Sequence, residues 1–192
     1  MKARDNPFRT ERVLRVRYRI SGGEFGDLLD RLKLLGYRGA IVGPKGTGKT
    51  TLLEDLAGAL AALGFNVVQV RLDDRTRSFP RGFLKRLFAE LSERDVILFD
   101  GAEQMSWFEW RRFKLRSKRA GGLVITSHHR GKLPTIRECS TTPELLRDII
   151  VELLGTEPAT MAVTAGMLHG KHNGNLREAL REMYDLAALT RE

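Results

Sequence analysis

Apolar residues fall along the chain in two rhythms: short unbroken runs, and longer stretches repeating every three or four positions. Near the start, Leu14, Val16, Tyr18 and Ile20 alternate with Arg15, Arg17 and Arg19, the period of two that predicts a half-buried strand with a basic face. Ser21-Gly22-Gly23 ends that strand. Phe25, Leu28, Leu29, Leu32 and Leu35 then recur at helical spacing until Gly36 supplies a stop. Buried strands are predicted at residues 39–42, 67–70, 96–99, 123–126 and 135–139. Helices are predicted between and after them, at 50–63 before Gly64, across Phe83 to Leu91 after Pro80, at 106–119, and at 142–154 before Gly155. Two further helices, at 159–169 and 176–189, flank His172-Asn173-Gly174-Asn175.

Strands that alternate with helices imply an α/β fold, a mainly parallel sheet flanked by helices, because each crossover lays a helix on a sheet face. The expected organisation is a basic strand and helix over residues 1–35 packed on the core, a core over 36–155, and a small C-terminal helical lid over 156–192. At 192 residues the chain can build one sizeable core. Its lone cysteine, Cys139, cannot form an internal disulfide, so packing must hold the fold, as in a reducing cytoplasm. No apolar run approaches the roughly 18 residues that span a bilayer, and a cytoplasmic protein without membrane partners is expected. Lys and Arg number 33 against 24 Asp and Glu, a net charge of +9 that favours polyanions without choosing among them.

The chemistry is concentrated in one loop. Gly43-Pro44-Lys45-Gly46-Thr47-Gly48-Lys49-Thr50 fits G-x-x-x-x-G-K-[ST] and lies between a predicted strand and a predicted helix, the context in which this pattern cradles phosphates. The glycines let backbone N–H groups turn inward on phosphate oxygens, and the helix starting near Gly48 adds the positive end of its dipole. Lys49 supplies charge to the outer phosphates, the Thr50 hydroxyl is a ligand for Mg²⁺, and Thr51 adds a phosphate contact. Val96-Ile97-Leu98-Phe99-Asp100 is an apolar run ending in a carboxylate, placed to reach the metal from the strand expected beside the loop. ATP and Mg²⁺ are the expected ligands. A guanine-reading N-K-x-D and an L-S-G-G-Q-like signature are both absent, which argues against a GTPase and a transporter ATPase.

In its order of loop, apolar strand with Asp100, strand ending in Thr126-Ser127-His128, last strand and lid, the chain resembles the AAA+ class of P-loop ATPases. Its origin-recognition-like and transposition-helper members are the most similar in character, over about residues 36–190. The resemblance implies further roles. Gly174-Asn175-Leu176-Arg177-Glu178-Ala179-Leu180 looks like the G-N-x-R-x-A-L helix of the class, which makes Arg177 the sensor 2 arginine that reaches the γ-phosphate through a bidentate fork. Thr126, Ser127 and His128 lie where the class carries a polar side chain that orients the attacking water, with Ser127 and His128 the leading choices. Most members place a glutamate directly after the strand-end aspartate; here that residue is Gly101. Glu103 could take its place if the chain turns sharply at Gly101-Ala102, and without such a group the chain would be a slow ATPase. Arg130 and Arg137 are candidates for an arginine finger acting in trans, which implies nucleotide-dependent homo-oligomers.

Positive charge gathers in three segments, residues 1–20, 70–86 and 107–119. In the third, Trp107, Phe108, Trp110 and Phe113 interleave with Arg111, Arg112, Lys114, Arg116, Lys118 and Arg119, with Phe108, Arg112 and Leu115 on one helix face and Trp107, Trp110 and Lys114 on another. Such a surface suits DNA or a DNA-bound protein. Two other readings fit the same residues. A small P-loop kinase would use Arg75, Arg77, Arg81 and Arg130 to bind a second anionic substrate, and a non-hydrolysing module would use ATP only to stabilise a binding surface.

Overall fold

The computed structural model describes residues 6–13, 15–16 and 25–189. The elements are α1 (Thr10–Val13), α2 (Phe25–Leu34), β1 (Arg38–Val42), α3 (Lys49–Ala62), β2 (Asn66–Arg71), α4 (Phe83–Glu90), β3 (Asp95–Asp100), α5 (Trp107–Arg116), β4 (Gly122–Ser127), β5 (Thr135–Glu138), α6 (Pro143–Leu154), α7 (Met161–Lys171) and α8 (Leu176–Leu189). The N-terminal strand expected from Leu14 to Ile20 falls mostly outside the described residues; Arg15 and Val16, which are described, sit in a turn that follows α1.

All five strands pair in parallel, in the order β2-β3-β4-β1-β5. This corrects the expectation that Asp100 ends the strand next to the loop. β4 lies between β1 and β3, so the β1 loop and the β3 carboxylate are separated by one strand. That position suits β4, whose six residues are all buried, as a central parallel strand covered on both faces requires.

Among the described residues the chain forms two compact units. Residues 25–43 and Lys49–Glu138 make one; residues 6–16, Pro44–Gly48 and those from Cys139 onward make the other. In the sheet-bearing unit, Ala40, Val42, Val70, Ile97, Phe99, Leu123 and Ile125 project from one sheet face onto Phe88 of α4 and Trp110 and Phe113 of α5. The intervening Ile41, Leu98 and Val124 are equally buried on the other face, where α3 meets β1 to β4 and α2 meets β1 and β5. Leu52, Leu53, Leu56 and Leu60 give α3 its apolar stripe.

The second unit is helical. Leu146, Ile149, Ile150 and Leu153 of α6 pack with Met161, Ala165 and Leu168 of α7 and with Leu176, Ala179, Leu180 and Met183 of α8. Phe8, 4% exposed, joins this cluster. Asn6 fixes the segment by donating from Nδ2 to the Tyr184 carbonyl at 2.9 Å and accepting the Phe8 N–H at 3.0 Å. Thus α6, placed by the sequence at the end of the core, packs with the two lid helices. No helix among the described residues is long and apolar enough to cross a membrane.

Leu56 is fully buried on α3, so Leu56→Ala should lower the unfolding free energy by about 2–5 kcal/mol through the cavity it leaves. Urea denaturation monitored by circular dichroism reads this directly, and an unchanged midpoint would refute the packing described.

Candidate nucleotide-binding site

Residues 43–48 form the turn that joins β1 to α3. Gly46 and Gly48 both adopt positive φ (79° and 82°), the left-handed conformation that side chains resist, so the motif's glycines are needed for the turn itself. Within it, the Thr47 hydroxyl donates to the Pro44 carbonyl at 2.9 Å, and Thr47 is 4% exposed. Pro44 and Lys45 are exposed, while Thr50 and Thr51 are half-buried on the first turn of α3. Lys49 is 8% exposed, and its ammonium donates to the Gly43 carbonyl at 2.8 Å. The lysine therefore lies along the loop, where a phosphate oxygen can replace that carbonyl.

Asp100 gathers the polar atoms around it. The Thr50 hydroxyl donates to its Oδ2 at 3.0 Å, and the Thr126 hydroxyl donates to its Oδ1 at 2.6 Å. Thr126 Oγ1 in turn accepts the N–H of Gly101 at 2.8 Å. Arg71, paired with Asp100 in the β2–β3 register, brings its Nε to 3.7 Å from Oδ2. One hydroxyl and one carboxylate, both hard oxygen donors, thus converge at the loop, a donor set that fits Mg²⁺. Thr50 and Asp100 would hold the ion.

Of the three polar residues closing β4, Thr126 is the one on Asp100. Sequence reading favoured Ser127 and His128. Ser127 is 2% exposed; its carbonyl accepts the Gly43 N–H at 3.2 Å, and its hydroxyl lies 3.4 Å from the His129 N–H. His128 instead meets Glu103, Nε2 to Oε1 at 3.3 Å. The other Glu103 oxygen, Oε2, is buried and has no hydrogen-bond partner among the described residues. Lys132 faces this pair: burial pushes its ammonium below the usual range, and the charge of Glu103 opposes that shift.

Gly101 explains how Glu103 reaches this place. Its φ is 89°, and a Cβ there would lie 2.0 Å from the Leu72 carbonyl oxygen, with no room for any side chain. Leu72 is held against the strand end, its N–H donating to the Asp100 carbonyl at 2.9 Å. From Gly101 the chain enters a 3₁₀ turn, Ala102–Gln104, closed by the Gln104 N–H on the Gly101 carbonyl at 3.1 Å. The chain thus turns sharply at Gly101-Ala102.

Arg177 is exposed on the first turn of α8 and makes no ion pair among the described residues. Asn175 caps that helix, its Oδ1 accepting the Glu178 N–H at 3.3 Å. The Leu176 N–H donates to the carbonyl of Gly46 at 3.2 Å, and a Cβ on Gly46 would fall 1.9 Å from Asn175 Oδ1. The lid helix that carries Arg177 therefore starts against the tip of the phosphate loop. The turn before it is set by Thr141, which donates to the Gly174 carbonyl at 2.7 Å and lies 3.0 Å from His169 Nε2. The sequence named Thr126 only as one of three candidates at the end of β4, and it gave no sign of Thr141, which does not stand out locally from other threonines.

Five parallel strands flanked by helices, with this loop after β1 and an aspartate at the end of β3, give the P-loop NTPase fold. Residues 40–109, a little over a third of the chain, match the model of the family described as "ATPase family associated with various cellular activities (AAA)". Two solved structures share the fold. One is a variant of RuvB from Thermotoga maritima, with a TM-score of 0.56 and 18% identity, over 89% of this chain and 64% of that one. The other is the replication initiator DnaA bound to AMPPCP and single-stranded DNA, with a TM-score of 0.61 and 14% identity, over 90% and 63%. The chain spans just under two thirds of each. No curated protein matches it in sequence.

Thr126→Val should leave the Gly101 N–H without an acceptor, lowering stability by about 1–3 kcal/mol, and should weaken magnesium-dependent nucleotide binding, whereas Thr126→Ser retains both. Calorimetric titration with and without magnesium separates the two effects. Gly101→Glu, which places a glutamate where AAA+ ATPases usually carry one, should gain no ATPase activity and should lose at least about 2 kcal/mol through backbone strain and the clash with Leu72; a variant that is stable and faster than wild type would overturn the geometry described.

Proposed function

We propose that the chain is a magnesium- and ATP-operated switch that hydrolyses ATP slowly and acts on DNA or on a DNA-bound partner. The observation that carries the reading is the meeting of Thr50 and Asp100 at the end of a complete phosphate loop. The backbone amides of residues 43–48 and the Lys49 ammonium bind the phosphates, and Thr50 and Asp100 hold the metal. Bound magnesium would draw charge from the outer phosphates as the terminal phosphoanhydride breaks.

Glu103 accepts a hydrogen bond from the attacking water through its unpartnered oxygen, while His128 fixes the other oxygen and so the direction of the carboxylate. The water oxygen joins the γ-phosphorus, the bond to ADP breaks, and phosphate leaves. Thr126 and Ser127 keep the end of β4 in register with the loop. Arg177 pairs with the γ-phosphate and couples its presence to α8. A glutamate held by a histidine and displaced two residues from the usual position would make hydrolysis slow. Arg130, which pairs with Glu138 on β5, and Arg137 beside it are the candidates to act on a second copy's nucleotide. DNA enters the reading through the basic segments, above all Arg111, Arg112, Lys114, Arg116, Lys118 and Arg119, and through DnaA, whose structure holds single-stranded DNA.

ADP release and ATP affinity measured together test these roles. Lys49→Ala should abolish ATP binding. Glu103→Gln should bind ATP as wild type does yet hydrolyse it about 100-fold more slowly or worse, with His128→Ala affected in the same direction but less. Arg177→Ala should bind ATP and lose the nucleotide-induced protection of α8 from hydrogen exchange. Normal hydrolysis by Glu103→Gln would remove it as the water-binding group. An ADP burst that depends on an added small acceptor would replace the switch with a kinase, and tight binding with no turnover, even with DNA, would leave a non-hydrolysing module.

A further inference from the structure

We infer that the outward face of α5 is a binding site for single-stranded nucleic acid, in which Trp107 and Phe108 stack on bases while Arg111 and Arg112 neutralise phosphates. The inference deepens the DNA reading above and rests on it, but it concerns a surface distinct from the phosphate loop.

α5 divides its aromatics in a way the sequence did not predict. Trp110 and Phe113 are buried, 7% and 1% exposed, and pack in the core with Phe88 and Phe99. Trp107 and Phe108 go outward, 61% and 75% exposed, and so does Leu115 at 64%. At helical spacing Trp107, Phe108, Arg111, Arg112 and Leu115 form one continuous patch. Large aromatics are costly to leave in water, and a contiguous exposed group of them marks a binding surface.

The arrangement of that patch points to nucleic acid. The indole of Trp107 meets the Phe108 ring edge-on, centroids 4.9 Å apart at 85°, and the Arg111 guanidinium lies 5.2 Å above the indole. Two flat apolar surfaces at right angles with a cation beside them suit unstacked bases joined by phosphates, since every base offers a π-face. Duplex DNA keeps its bases stacked inside and gives these rings no partner. The one acid of the helix, Glu109, is turned away: its carboxylate accepts from the N–H and hydroxyl of Ser106, at 2.9 and 2.7 Å, closing the helix N-terminus. That bonding holds Glu109 below the usual carboxylate range, so it stays ionised but is engaged by Ser106, while Arg111 and Arg112 supply the charge of the patch. Lys114, Arg116, Lys118 and Arg119, all exposed, extend the positive field around it.

The test is fluorescence anisotropy of a labelled oligo(dT), with a duplex of equal length and poly-glutamate as competitors, over a range of salt concentrations and without nucleotide. Wild type should bind oligo(dT) in preference to the duplex. Trp107→Ala and Phe108→Ala should each weaken binding about tenfold without altering its salt dependence. The double variant Arg111→Gln, Arg112→Gln should flatten the slope of log affinity against log salt by about 1.4. All four changes are at exposed positions, and an ATP-induced rise in melting temperature, retained in each variant, shows that the fold and the phosphate loop are intact. Loss of that rise in wild type would sink the nucleotide reading and leave the α5 site standing. Wild-type oligo(dT) affinity in the aromatic variants, or equal binding of duplex, would overturn the α5 site, and displacement by poly-glutamate as effective as by oligo(dT) would assign the surface to an acidic protein.

Discussion

Everything at this site depends on one carboxylate being held from two sides. Asp100 accepts from Thr50 on α3 and from Thr126 on β4, and Thr126 also takes the N–H of Gly101. Three segments far apart in the chain are thereby fixed to one another at the ends of parallel strands. Crossovers in such a sheet place loops and helix starts at the carboxyl ends of the strands, which is where open α/β sheets hold their ligands. The apolar runs in β3 and β4 supply the rigidity that makes such short contacts possible. Without that packing, a threonine and an aspartate at this distance would be only two solvated side chains.

The parts of this arrangement that are local in the chain were legible in the sequence. The loop, the glycines that let it turn, Lys49, Thr50 and Asp100 all belong to short patterns whose meaning is set by neighbouring residues. Strand order was not legible: buried runs such as residues 96–99 and 123–126 look alike, and nothing in them states which lies beside β1. The same blindness left Thr126 one of three candidates rather than the leading one. On a strand buried on both faces, polarity does not alternate, so Thr126 and Ser127 carry no sign of which one faces Asp100. The division between Trp107 and Trp110 also needed the core to be seen, because both fall within a stretch of mixed aromatics and cations. Gly101 was visible as a departure, while its reason, the Leu72 carbonyl, lies just past the end of β2.

Departure and compensation stand side by side at that glycine. A backbone that excludes a side chain at residue 101 also turns the chain so that residue 103 comes to face His128. Lys132, partly desolvated nearby, sits over the Trp110 ring at 5.1 Å and ties this corner to α5. The corner formed by Glu103, His128 and Lys132 thus adjoins the helix that carries the outward aromatics.

The bond from Asn6 to the Tyr184 carbonyl bears on how the molecule is made. Strands β1 to β5 are all translated by Glu138, so the sheet has its full set of partners while the last helices are still inside the ribosome. The helical unit has no such head start: Asn6 and Phe8 lack their partners until α8 has been made. During that interval Phe8 is an apolar side chain without the pocket that α6 to α8 provide.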